Sequence, residues 1–210
     1  MLALFVLIPL FVVLILNLLR FDFIKKIACW FGVVLTLAQI GFVLFVPIDL
    51  LSSRSGFFAK YFAFNFTMDS LSKLMVVAIG IVVFAAIMIG QFTYSDETKR
   101  FNFLNLILLT LAGMNGLVMV TDVFSLYVFI EIVAVASFIL ILTYKDKLAL
   151  ESAFKYIVLS IAATLFILLS IAIFLLISGN TSFVSISNAI KNSQNNTVCL
   201  LYTSPSPRDS

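Results

Sequence analysis

The sequence predicts an all-α, polytopic membrane protein, and three observations carry that prediction. Of 210 residues, 63% are hydrophobic and 11% charged, at a mean hydropathy of +1.21; an ordinary soluble domain holds about 45–50% apolar and about 25% charged residues. The apolar residues fall into six runs, each about as long as the ~20-residue helix that crosses a ~30 Å hydrocarbon core. The basic residues concentrate in the short connections between the runs. So few charges cannot clothe a soluble globule of this size, which excludes a cytosolic enzyme, a nucleic-acid-binding module and a disordered chain. There is no histidine, and Cys29 and Cys199 match no ligand spacing, so no zinc, haem or histidine-based centre is expected, nor any other cofactor.

The runs are residues 1–19, 27–46, 71–92, 101–121, 123–144 and 149–177. The first lacks the basic start of a signal peptide and is too long for its apolar core, so a retained helix is expected. Apolar character surrounds each run rather than forming one stripe, as lipid-facing or fully buried helices require. Backbone groups in hydrocarbon must bond within their own segment, and the ten-residue alternation of barrel strands is missing, so the runs are read as helices. Arg20, Lys25, Lys26, Lys99, Arg100, Lys145 and Lys147 lie in the first, third and fifth connections, against Arg54 and Lys60 in the second. That asymmetry predicts an outside N-terminus, with the odd connections in the cytoplasm; the expected setting is a prokaryotic inner membrane. Residues 1–177 are thus the six-helix region. Residues 178–198 are a polar connecting segment, weakly amphipathic at Phe183, Val184, Ile186 and Ile190. Residues 199–210, CLLYTSPSPRDS, follow no membrane pattern and look like translated adapter sequence, foreign to the native chain.

An ionisable side chain at the bilayer centre costs about 2.5–3.5 kcal/mol on insertion scales, so each needs a reason. Two stand out. Glu131 lies eight residues into the fifth run, roughly 12 Å deep, and Lys155 lies eight residues beyond Lys147, roughly 12 Å deep from the other side. Their levels differ by about 6 Å, within reach of a lysine on an adjacent antiparallel helix. A midplane Lys–Glu pair can change protonation as its separation changes, which proton translocation requires. A static ion pair that fixes helix packing satisfies the same cost. Glu151, one turn before Lys155, is an i,i+4 partner that helps the helix or modulates the lysine. Asp122 opens the fifth run as a cap, with a modulating role as its functional alternative. Asp69 and Ser70 cap the third run, with Lys73 snorkelling one turn later. Gly113 and Gly116 permit close helix contact in the fourth run, where Asn115 can bond across helices.

At these residues the sequence resembles the antiporter-like membrane subunits of respiratory complex I, Mrp-type cation/proton antiporters and membrane-bound hydrogenases. The resemblance covers about residues 64–190. It rests on MDSLSKLM, on TDVFSLYVFIEI with its glutamate, on LESAFKYIVLSIAATLF with its lysine, and on the 24-residue gap from Glu131 to Lys155. TSFVSISNAI resembles the amphipathic segment that precedes the family's next helix. The resemblance implies a proton-transfer role for Glu131 and Lys155. It also implies a bilayer setting, other membrane subunits as partners, and protons or sodium as the transported ion. Such proteins have about fourteen spans built around two inverted five-helix repeats, so this chain corresponds to three leading helices and the first three of repeat one. A non-transporting structural or assembly subunit is the alternative, and an independent small-molecule transporter a third. No nucleophile–base set, phosphate loop or metal cluster supports catalysis by the chain itself, as expected for a non-catalytic subunit of a redox-driven complex.

Overall fold

The computed structural model describes residues 2–18, 22–47, 66–143 and 147–192, and these are almost wholly helical. The helices are α1 (Leu4–Leu18), α2 (Asp22–Phe45), α3 (Ser70–Thr93), α4 (Glu97–Met119), α5 (Val123–Leu142), α6 (Lys147–Ser178) and α7 (Phe183–Asn192). Among the described residues, α2 to α6 are long and apolar enough to cross a membrane. The chain is an integral membrane protein. The expected six spans become five plus a shorter first helix. The 15 residues of α1 extend about 22 Å, short of a ~30 Å core. Leu2 and Ala3 form a turn before it, while Met1 and Leu19 lie outside the described residues, as do the proposed foreign tail, Arg54 and Lys60.

Three aspartates start helices by the same device. The Asp69 carboxylate accepts from the Ser72 N–H at 2.7 Å, that of Asp96 from Thr98 at 3.0 Å, and that of Asp122 from Ser125 at 2.8 Å. Each satisfies one of the donors a helix leaves open in its first turn. The hydroxyl and N–H of Ser72 hold the Asp69 carboxyl below its ordinary value. That hydroxyl has one proton to share with the Val118 carbonyl, 3.1 Å away. Lys73 does not simply snorkel; its amine donates to the Val46 carbonyl at 3.1 Å, just beyond the end of α2.

The centre of the bundle is α4, which packs against α1, α2, α3 and α5. One apolar cluster joins Phe5, Val43, Val76, Ala112, Met119 and Phe129 at one end; another joins Leu16, Ala28, Ile87, Leu104 and Leu108 at the other. Lipid tails are as apolar as leucine, so association rests on close packing and polar bonds rather than on expulsion of water. Gly113 and Gly116 supply the close packing. A Cβ at Gly113 would stand 2.6 Å from a methyl of Val133, and one at Gly116 would overlap the Phe129 ring.

The polar bonds come from Gln39 and Asn115. Pro9, buried inside α1, has no N–H, so the carbonyl four residues earlier, on Phe5, loses its usual helical donor. Asn115 donates to that carbonyl at 3.1 Å and to Gln39 Oε1 at 3.0 Å. Gln39 donates back to Asn115 Oδ1 at 3.1 Å and to the Val76 carbonyl at 3.3 Å. The two backbone acceptors fix which way each amide faces. One reciprocal amide pair thus ties α1, α2, α3 and α4 together.

Beyond this core α5 lies on α4, α6 on α5, and α7 on α6. A backbone pairing closes that end: Val123 N–H donates to the Thr181 carbonyl at 3.0 Å and Phe183 N–H to the Thr121 carbonyl at 3.2 Å. The buried residues of α6 are Ala153, Thr164 and Ile171, a single narrow stripe. Much of the rest of its surface, with Phe154, Leu159, Phe166 and Leu176, is exposed.

Candidate functional site

Glu131 is the ninth residue of the 20-residue helix α5, about 12 Å along it and close to its middle. It is half-buried, with Tyr127 one turn earlier on the same face of the helix. A serine on the same helix is already committed: Ser137 donates to the Val133 carbonyl at 2.7 Å. A carboxylate at this depth with a phenol beside it can take up, hold and release a proton.

Lys155 stands elsewhere than its depth suggested. Its amine donates to Glu151 Oε1 at 2.6 Å, and the two side chains are 69% and 58% exposed. Among the described residues its ion-pair partner is therefore Glu151 rather than Glu131, and the pair is not buried. The reason is azimuthal. Lys155 follows Ala153 by two residues, which places it about 200° around α6 from the stripe that faces inward. Glu151 lies one turn away on the same side, where an i,i+4 pair forms without help from another helix. Asp122 acts as the cap of α5, and its second oxygen is buried without a hydrogen-bond partner among the described residues.

Two polar groups of the helical core go beyond the sequence expectations. Gln39 is one, although a glutamine inside a run of apolar residues carries the same insertion cost that draws attention to Asn115. Asn105, also within a spanning helix, is 8% exposed, and its Oδ1 has no partner among the described residues. Asp96, the cap of α4, is a further addition.

The family model described as "NADH:quinone oxidoreductase/Mrp antiporter, TM" matches residues 120–204, the segment that holds Asp122, Glu131, Glu151 and Lys155. A Na(+)/H(+) antiporter subunit of Alkalihalophilus pseudofirmus is 29% identical over 119 residues, covering 57% of this chain and 24% of the relative. The chain spans about a quarter of the length of the curated relatives it matches. A chain of the membrane-bound sulfane sulfur reductase, an archaeal respiratory membrane complex, has the same fold over 94% of this chain and 41% of its own length. Its TM-score is 0.74, at 24% sequence identity. Over these segments the chain is similar to antiporter-like membrane subunits.

Proposed function

We propose that this chain is a proton-translocating membrane subunit of a multisubunit complex of NADH–quinone oxidoreductase, hydrogenase or Mrp antiporter type, with sodium as the second candidate ion. It works beside other membrane subunits in a prokaryotic inner membrane, N-terminus outside, and Glu131 and Lys155 carry the transfer. The observation that supports this most is the Glu131 carboxyl halfway along a spanning helix and half-buried. Intramembrane ionisable groups mark ion pathways. Glu131 binds a proton as the neutral acid and gives it up as the carboxylate. Lys155 supplies a positive charge whose influence depends on its partner. Held on Glu151 the charge is largely balanced; released, it favours the ionised form of a nearby acid. Glu151 thus modulates the lysine, and Asp122 fixes the start of the helix that carries Glu131.

A structural subunit is the second reading, and the exposed Lys155–Glu151 pair favours it, since such pairs serve helices for about 0.3–0.5 kcal/mol. Glu131→Gln and Lys155→Met, alone and together, separate the two in the intact complex. The transport reading expects each single change to cut proton transport while the amount of assembled complex stays normal, with no rescue in the double variant. The structural reading predicts the opposite: transport persists in every variant, and Lys155→Met costs only about 0.3–0.5 kcal/mol, the worth of its exposed pair with Glu151.

A further inference from the structure

A groove of about 380 Å³ runs between α1 and α2, which barely touch, since α1 packs on α4 and α2 chiefly on α3. Ile8, Phe31 and Val34 stand about half-exposed on its rims, and Phe5, Pro9 and Gln39 lie buried in its floor. Along α2 it extends from Phe42 to Phe31, about 16 Å, and along α1 from Leu4 to Val12, about 12 Å. It begins at the Asp122 end of the bundle, where Phe5 packs with Met119, and stops near the middle of both helices. That reach is one leaflet, half of a ~30 Å hydrocarbon core.

Three occupants are at hand in a membrane: water, a neighbouring helix and a lipid chain. A water in a cavity needs polar partners, and among the lining residues only Gln39 is polar. Its amide is spent on Asn115 and on the Val76 carbonyl, and Asn115 also takes the Phe5 carbonyl that Pro9 frees. The groove is therefore dry. A helix with its side chains is about 10–12 Å across, a section of about 80 Å² or more. Spread over its length, the groove has a section of about 24 Å². A polymethylene chain, whose carbons meet their neighbours at about 4 Å, needs about 20 Å². One such chain fits and a helix does not. Left empty, the groove would forfeit dispersion contacts along its whole floor.

We propose that this groove is a binding site for one acyl chain of a phospholipid in the leaflet at the Asp122 end. Lipid tails are as apolar as leucine, so burial alone gives no preference and packing has to supply it. A chain in the groove meets α1, α2 and the floor between them, whereas a chain on the open face of α3 is met on one side. The rings of Phe5 and Phe42 meet edge-on, 5.8 Å apart, and tie the two helices together, so the site is formed before a lipid enters it. The bound chain completes the packing between α1 and α2, which hold each other at few other points. The inference goes beyond the transport reading and is independent of it.

Photocrosslinking in the intact complex tests this. The complex is reconstituted in vesicles of phosphatidylethanolamine and phosphatidylglycerol with a trace of phospholipid that carries a diazirine midway along one acyl chain. Insertion at Ile8, mapped by mass spectrometry, is expected to exceed that at Ile81 on the exposed face of α3 by about tenfold. Ala38 lines the groove and is exposed. Ala38→Trp puts an indole where the acyl chain lies, so it is expected to lower insertion at Ile8 about tenfold and to leave Ile81 unchanged. If Ala38→Trp does not assemble, Val34→Trp on the rim gives the same reading. Equal insertion at Ile8 and Ile81, indifferent to the tryptophan, would mean ordinary solvating lipid and overturn the proposal. No insertion at Ile8, with Val34→Cys crosslinking to another subunit, would mean a protein-filled groove and overturn it as well.

Discussion

Glu131→Gln is expected to lower proton transport by the intact complex about 10²-fold or more, with assembled complex in normal amount. A positioned acid–base group contributes about 10²–10⁴-fold to proton transfer. Glutamine keeps the shape but cannot titrate. Glu131→Asp keeps the titrating group and withdraws it by one methylene, so it is expected to retain measurable transport. Tyr127→Phe removes the phenol one turn from the carboxylate and is expected to fall between wild type and Glu131→Gln. Vesicle acidification, normalised to complex content, orders the four proteins. Glu131→Gln at wild-type rate would remove the assigned role.

Asn115→Leu should produce the largest loss of stability. The change strands the Phe5 carbonyl and both hydrogen-bonding groups that Gln39 directs at Asn115. At about 1–3 kcal/mol for each buried group left unsatisfied, the cost is about 3 kcal/mol or more. It is read as a lower unfolding midpoint of the purified complex, or as lost assembly. The origin of the stranded carbonyl supplies a second arm. Pro9→Ala returns an N–H to α1 at the position that bonds the Phe5 carbonyl. In the Asn115→Leu background it is expected to recover about 1 kcal/mol, the worth of one hydrogen bond. Strictly additive effects of the two changes would show that Pro9 and Asn115 do not share this acceptor.

The helices were legible because their signal is one-dimensional: apolar length, an aspartate before the first turn, and basic residues between runs. The expected starts at residues 71 and 123 fall within one residue of the observed ones, where Asp69 and Asp122 cap the helices. The place of Glu131 near the middle of its helix was legible for the same reason, since rise per residue is fixed. Azimuth was not. A helix that is apolar all round carries no stripe to say which face turns inward, so the sequence could not tell that Lys155 faces away from the α6 stripe of Ala153, Thr164 and Ile171. The Gln39–Asn115 pair was half-legible. Asn115 could be marked as a residue that bonds across helices, but its partner lies 76 positions away, and the acceptor on Phe5 exists only because of Pro9.

The claim at the centre of this account is that the Glu131 carboxyl gains and loses a proton as the complex turns over. Infrared difference spectroscopy of the working complex in membranes measures that event itself. The account predicts a carboxylic-acid C=O band that appears and disappears with turnover, is absent in Glu131→Gln and is shifted in Lys155→Met. A complex that transports protons with no such band, or with a band that survives unchanged in Glu131→Gln, would contradict it.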